Sequence, residues 1–248
     1  MKVFLAGRPR YADNFKAAGY DYYRLESYYY INDNGAADIP KYKDFILDSG
    51  VFTYLNSKNK KNHSEFDWEA YATKYADFVK RHNIKNYVEI DVDSFIGLDE
   101  VERLRGFLEK RVGWKPMPVW HLDRGWDKWR EICRDYDYVC FGAFITDGML
   151  PSQYEIVPKF IAEANKHNCK VHGLGFTSFE NLKKMKFYSV DSSTWTIGNR
   201  FGSVFTIKNG LIKNNKRPEG CRVSNHKALE AHNLNVWIQY SKYAEHNF

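Results

Sequence analysis

The chain has 248 residues, 44% of them hydrophobic, with a mean hydropathy of -0.61 and a formal net charge of +6. That length can bury one sizeable core, and α/β barrels use it as a single domain. No apolar stretch approaches the roughly 20 residues that cross a bilayer, and the first apolar run is too short for a secretory signal. These features exclude a membrane partner and predict a cytoplasmic protein.

In chain order, short apolar runs bounded by Gly, Asp or Pro predict strands at 2–7, 44–49, 87–93, 117–122, 138–144, 170–175, 187–192 and 203–208. Between them, 66–81 is amphipathic, with Trp68, Tyr71, Tyr75, Phe78 and Val79 on one face. Helices are also predicted at 98–110, 126–134, 153–167 and 178–184, the last capped by Ser178, and a closing helix at 227–245. Strands alternating with helices imply parallel pairing with right-handed crossovers. Eight such units predict one (β/α)8 TIM-type barrel over 1–248, irregular or incomplete in places.

Cys133, Cys140, Cys169 and Cys221 form no C-x-x-C pair and have no His at ligand spacing, so neither a zinc cluster nor a disulfide framework is expected. The basic balance mildly favours a polyanionic partner, and the 18 Tyr and 7 Trp supply rings that stack bases or simply pack the core. Two basic loops, 58–62 and 213–217, can meet phosphates or face solvent.

In a barrel the carboxyl ends of the strands share one face, where βα enzymes carry their chemistry. Two predicted strands end there in Asp48-Ser49-Gly50-Val51-Phe52 and Asp191-Ser192-Ser193. Such an aspartate either caps the helix that follows or acts on a ligand, and a single strand end does not choose between them. Alternation sets Glu89, Asp91 and Asp93 on one side of their strand. Clustered carboxylates serve covalent attack, acid/base work or metal binding. His121, Asp123 and His172 keep a metal-dependent lyase or hydrolase in view, but with Glu89 and Asp91 they match no defensible ligand spacing. Gly173-Leu174-Gly175 lets a flat ligand approach the backbone or makes a tight turn, and it lacks the third glycine of a dinucleotide site.

Taken together, these strand ends resemble the tRNA-guanine transglycosylase superfamily, including its viral and bacterial relatives that insert 7-deazaguanine bases into DNA. The family motif D-S-G-G-F/Y-Q is similar to Asp48-Ser49-Gly50-Val51-Phe52-Thr53, and its later aspartate with a downstream Arg and Gly is similar to the run from Asp191 through Arg200 to Gly202. The similarity spans roughly 44–202. It implies a barrel that exchanges guanine in a nucleic acid for a free 7-deazapurine through a covalent intermediate, without a cofactor or a catalytic metal. Asp191 would be the nucleophile, and Asp48 would bind the base and move protons. Ser49, Gly50, Phe52, Asp91, Asp93, Gly142, His172, Gly173, Gly175, Trp195 and Arg200 would bind substrate. Among them Phe52 would stack on the base, and Asp91 or Asp93 would read its polar edge.

Val51 and Thr53 depart from the family pattern, and the zinc site that follows the barrel in the tRNA enzymes is reduced to Cys221. Both departures favour DNA over tRNA. The alternatives are a nucleoside or nucleotide N-glycosidase using the same carboxylates, and a non-catalytic nucleic-acid-binding barrel. A homodimer or a partner protein that supplies part of the nucleic-acid grip also remains open.

Overall fold

The computed structural model describes residues 1–56, 66–144, 147–176 and 179–248, apart from the side chains of Phe52, Leu55, Asn56, Phe179, Asn199 and Arg200. The basic loop 58–62, the Ser178 cap and the substrate roles expected of the Phe52 and Arg200 side chains lie outside the described residues.

The first half comprises β1 (Lys2–Leu5), α1 (Ala12–Ala18), β2 (Tyr23–Ser27), α2 (Asp33–Ala36), β3 (Asp44–Asp48), α3 (Val51–Asn56), α4 (Trp68–Arg81) and β4 (Asn86–Tyr87). Then come α5 (Asp93–Ile96), α6 (Leu98–Val112), β5 (Val119–Trp120), α7 (Gly125–Asp135), β6 (Tyr138–Phe141), α8 (Val157–Lys166) and β7 (Lys170–Gly173). The chain ends with α9 (Phe179–Met185), β8 (Ser189–Ser192), α10 (Ile197–Phe201), β9 (Val204–Lys208), β10 (Leu211–Asn215) and α11 (His226–Asn247).

Eight strands form one sheet in the order β4-β3-β2-β1-β8-β7-β6-β5, and every pair in it is parallel. The sheet curls until its edge strands meet at one parallel bridge, Val88 to Met117. At that seam Met117 N–H donates to Tyr87 O (2.7 Å) and Glu89 N–H to Met117 O (3.0 Å). Farther along, a side chain replaces the ladder, because Val119 N–H donates to Glu89 Oε1 (2.7 Å).

The strand content departs from the sequence reading at two places. The expected strand at 203–208 is β9, which pairs antiparallel with β10 in a separate hairpin. Asn209 and Gly210 between them take φ of 54° and 71°, the left-handed pair of a two-residue hairpin turn. The eighth sheet strand is β2, whose Tyr-Arg-Leu-Glu-Ser sequence carries no apolar run. It tolerates the fully buried Arg24 because Nη1 and Nη2 donate to Leu5 O and Gly7 O (both 2.6 Å) and Nη2 also pairs with Glu26. β4 and β5 are also shorter than the runs 87–93 and 117–122 expected of them.

The inner face of the curled, barrel-like sheet packs Phe4, Tyr23, Leu25, Ile46, Val88, Met117, Val119 and Cys140. Helices cover the outer face with the stripe that their spacing requires. In α4, Trp68, Ala72, Tyr75, Ala76 and Val79 are buried, and Asp67 caps the helix by accepting from Ala70 N–H (2.8 Å). α11 starts at an Asn225 cap, packs Leu234 and Trp237 beside Leu5 and Phe205, and donates from Ser241 Oγ to Val3 O (2.8 Å). No described helix is long and apolar enough to cross a membrane.

Candidate functional site

A cavity of ≈ 340 Å³ opens at the carboxyl ends of the strands, toward the lower end of the roughly 300–1,000 Å³ typical of small-ligand sites. Its apolar wall is Leu25, Val88, Val119 and Leu174, and its polar wall includes Asp48, Asp91, Asp93, His121 and Asp191. Ser49, Gly142 and Gly175 also line it. A larger, shallower groove of ≈ 500 Å³ beside α4 is less suited to chemistry. Its Asp33 is paired with Arg81 and His82, and its Asp77 with Arg111.

Asp48 ends β3 and keeps one local role of a turn aspartate, since its Oδ2 accepts from Gly50 N–H (2.9 Å). Gly50 lies at φ 78°, and a Cβ there would meet Tyr29 N at 2.5 Å. This glycine therefore shapes the turn that holds Asp48 and is absent from the cavity lining, contrary to the substrate contact expected of it. Burial raises the Asp48 pKa to about 6; the Gly50 amide opposes the shift, and the charges of Asp191 and Asp91 add to it.

Asp191, on β8, is held differently. Its Oδ1 accepts from Gly175 N–H (2.7 Å) and lies 3.2 Å from His172 Nε2. It does not cap the segment after its own strand, where Ser192 Oγ accepts from Thr194 N–H (3.2 Å). The two aspartates that look alike in sequence thus have different surroundings.

Asp91 and Asp93 converge through Arg124, a residue that no strand-end pattern marks. Arg124 Nη2 donates to Asp91 Oδ1 (3.0 Å) and to Asp93 Oδ2 (2.7 Å). The Asp93 carboxyl is consequently lowered, Arg124 outweighing the effect of burial. His121 bridges Asp91 Oδ2 (Nε2, 2.8 Å) and Asp147 Oδ1 (Nδ1, 3.0 Å). Burial lowers the His121 pKa, but the bond to Asp91 and the Asp91 and Asp147 charges win and raise it to about 9. Ligand atoms of Asp91, Asp93 and His121 lie within 4.8 Å of one another, a spacing that could hold a cation. The Arg124 guanidinium already supplies positive charge to both carboxylates.

Other expectations need correction. Glu89 faces Arg124 together with Asp91 and Asp93, as alternation predicts, but it does not line the cavity. Glu89 is fully buried at the seam and accepts from Arg105 Nε (2.5 Å). Trp195 is no substrate platform. It is buried beside Phe15, and its indole N–H donates to Ala6 O (2.6 Å). Gly173 is buried, with Phe187 and Val190 3.2–3.3 Å from where a Cβ would sit, and His172 lies beneath Asp191 without reaching the cavity wall. Gly142 does reach the wall, where a Cβ would strike Val119 Cγ1 at 2.8 Å and His121 Cε1 at 2.9 Å.

Around this face lies a feature that periodicity does not show. Tyr29, Tyr30, Phe95, Trp126, Leu150 and Phe201 are exposed, and each sits in a segment that leaves the carboxyl end of a barrel strand. Phe95 also lines the cavity and is 50% exposed. No protein-family profile matches the chain, and no curated protein matches it significantly.

Proposed function

We propose that this chain is a base-exchanging glycosyltransferase on a (β/α)8 TIM-type barrel. It replaces guanine in a nucleic acid, DNA in preference to tRNA, with a free 7-deazapurine through a covalent Asp191 intermediate. The observation that carries the reading is the pair of carboxylates on one cavity with opposed surroundings: Asp48 with its pKa raised to about 6, and Asp191 held by the Gly175 amide and His172. An acid raised toward neutrality beside a carboxylate fixed by two donors suits separate acid and nucleophile roles.

In the first half-reaction an Asp191 oxygen forms a bond to C1′ of the target nucleotide. The C1′–N9 bond breaks with its electron pair passing to the purine, and the Asp48 carboxyl gives its proton to the departing guanine. In the second, Asp48 takes the N9 proton of the incoming base, whose N9 bonds to C1′ and releases Asp191. A pKa near 6 lets Asp48 serve in both directions near neutral pH. Asp91 and Asp93, held by Arg124, offer acceptors to the polar edge of the base, and Gly142 keeps one wall flat. The exposed aromatic rim and the net charge of +6 favour a single-stranded or flipped-out substrate.

The test incubates purified protein with guanine-containing single-stranded DNA, or with tRNA, plus labelled guanine or 7-deazaguanine. Label should enter the polymer, and Asp191→Ala should abolish entry. Absence of incorporation into either polymer would overturn the exchange reading, and release of free base alone would replace it with an N-glycosidase.

A further inference from the structure

We infer that His172 is a positioning residue that commits one oxygen of Asp191, Oδ2, to the attack on C1′; the inference rests on the exchange reading. His172 is fully buried inside the barrel, with its ring edge-on to Phe4 and Tyr138. Among the described residues, the side-chain hydrogen bonds of Asp191, from Gly175 N–H and His172 Nε2, both fall on Oδ1.

The chain behind His172 orients its ring proton. Nδ1 lies 2.6 Å from Ser189 Oγ, and the Tyr138 hydroxyl bonds the same Ser189 oxygen. An ionised carboxylate only accepts, so the imidazole proton sits on Nε2 and donates to Oδ1. Nδ1 then accepts from the Ser189 hydroxyl, which accepts from Tyr138 in turn. All four groups are satisfied in one direction, from Tyr138 through Ser189 and His172 to Asp191.

This arrangement orients the first half-reaction and stabilises the second. When Oδ2 attacks, it becomes the ester oxygen bonded to C1′ and Oδ1 becomes the carbonyl oxygen, which keeps both donors. When the incoming N9 displaces the ester, the electron pair of the C1′–O bond returns to the carboxylate, and the same donors stabilise the charge that spreads onto Oδ1. Two preoriented donors thus serve the leaving group of the second step as an oxyanion hole serves an acyl transfer.

The experiment measures single-turnover formation of the acid-quenched protein–oligonucleotide adduct by mass, with guanine affinity measured separately by calorimetry. His172→Leu should slow adduct formation by about 100-fold, because an unanchored Asp191 carboxylate loses its attack geometry, while guanine binding is retained. His172→Gln, which keeps an N–H donor, should return the rate to within about tenfold of wild type. If His172→Leu fails to fold, Ser189→Ala serves, with an expected loss of about tenfold from freeing the ring. Wild-type rates in His172→Leu, or in Ser189→Ala where it is the variant read, would overturn the role of His172 and leave the exchange reading standing. An adduct absent from the wild type would overturn both.

Discussion

Asp48 shows how burial converts an ordinary aspartate into an acid that works near neutrality. Its folded pKa of about 6 exceeds the usual value near 4, so between those pH values the folded chain holds a proton that the unfolded chain has released. Stability therefore falls as pH rises through that window. Asp48→Asn should unfold at higher denaturant than wild type at pH 8, by at most about 3 kcal/mol, and the gap should close near pH 4. If the proposed exchange holds, adduct formation requires the acid form and should decline above pH 6 in wild type. His121 is raised toward 9 by its two carboxylate partners, so its stabilisation is present below the ordinary histidine value near 6.5 and is lost as pH climbs through 9. His121→Asn should accordingly cost up to about 3 kcal/mol at pH 6 and little at pH 10, read by denaturant midpoints across pH.

The turns and short segments between the elements decide what reaches the cavity. Gly50 joins β3 to α3 at φ 78° with Tyr29 N in the path of any Cβ, so an added methyl meets backbone that cannot swing aside. Gly50→Ala should destabilise the fold by about 2 kcal/mol or more and displace Asp48, seen as lower thermal stability together with weaker base binding. Gly142 lies at an ordinary φ but faces Val119 and His121. Gly142→Ala should cost about 1–3 kcal/mol by overpacking and should weaken binding of free guanine in calorimetry. The β9–β10 hairpin is fixed from outside the barrel, as Asn233 on α11 accepts from Phe205 N–H (2.9 Å) and donates to Ser203 O (3.0 Å).

Across the whole molecule, closure and charge compensation meet at the Glu89 seam. Its carboxylate joins β4 to β5 through Val119 N–H and neutralises Arg105 and Arg124. Glu89→Leu should lower unfolding free energy by about 3–5 kcal/mol in denaturant titrations, because it removes the close partner of the buried Arg105 guanidinium and the acceptor of Val119 N–H, while Arg124 keeps Asp91 and Asp93. What sequence alone determined was the alternation of apolar runs and amphipathic stripes, and with it a parallel eight-stranded barrel-like sheet and the approach of Asp48 and Asp191 to one face. Those features follow from local periodicity and from the rule that parallel strands end together. β2 was not legible, because Arg24 and Glu26 satisfy each other only after β1 lies alongside. The Asn209-Gly210 dipeptide carries a hairpin signal that the reading of 203–208 as a barrel strand left unused. Arg124, Asp147 and the seam role of Glu89 belonged to tertiary structure alone, as did the unequal surroundings of the two aspartates. A charge acquires its partner, and a carboxylate its dielectric, only when residues distant along the chain are packed around it.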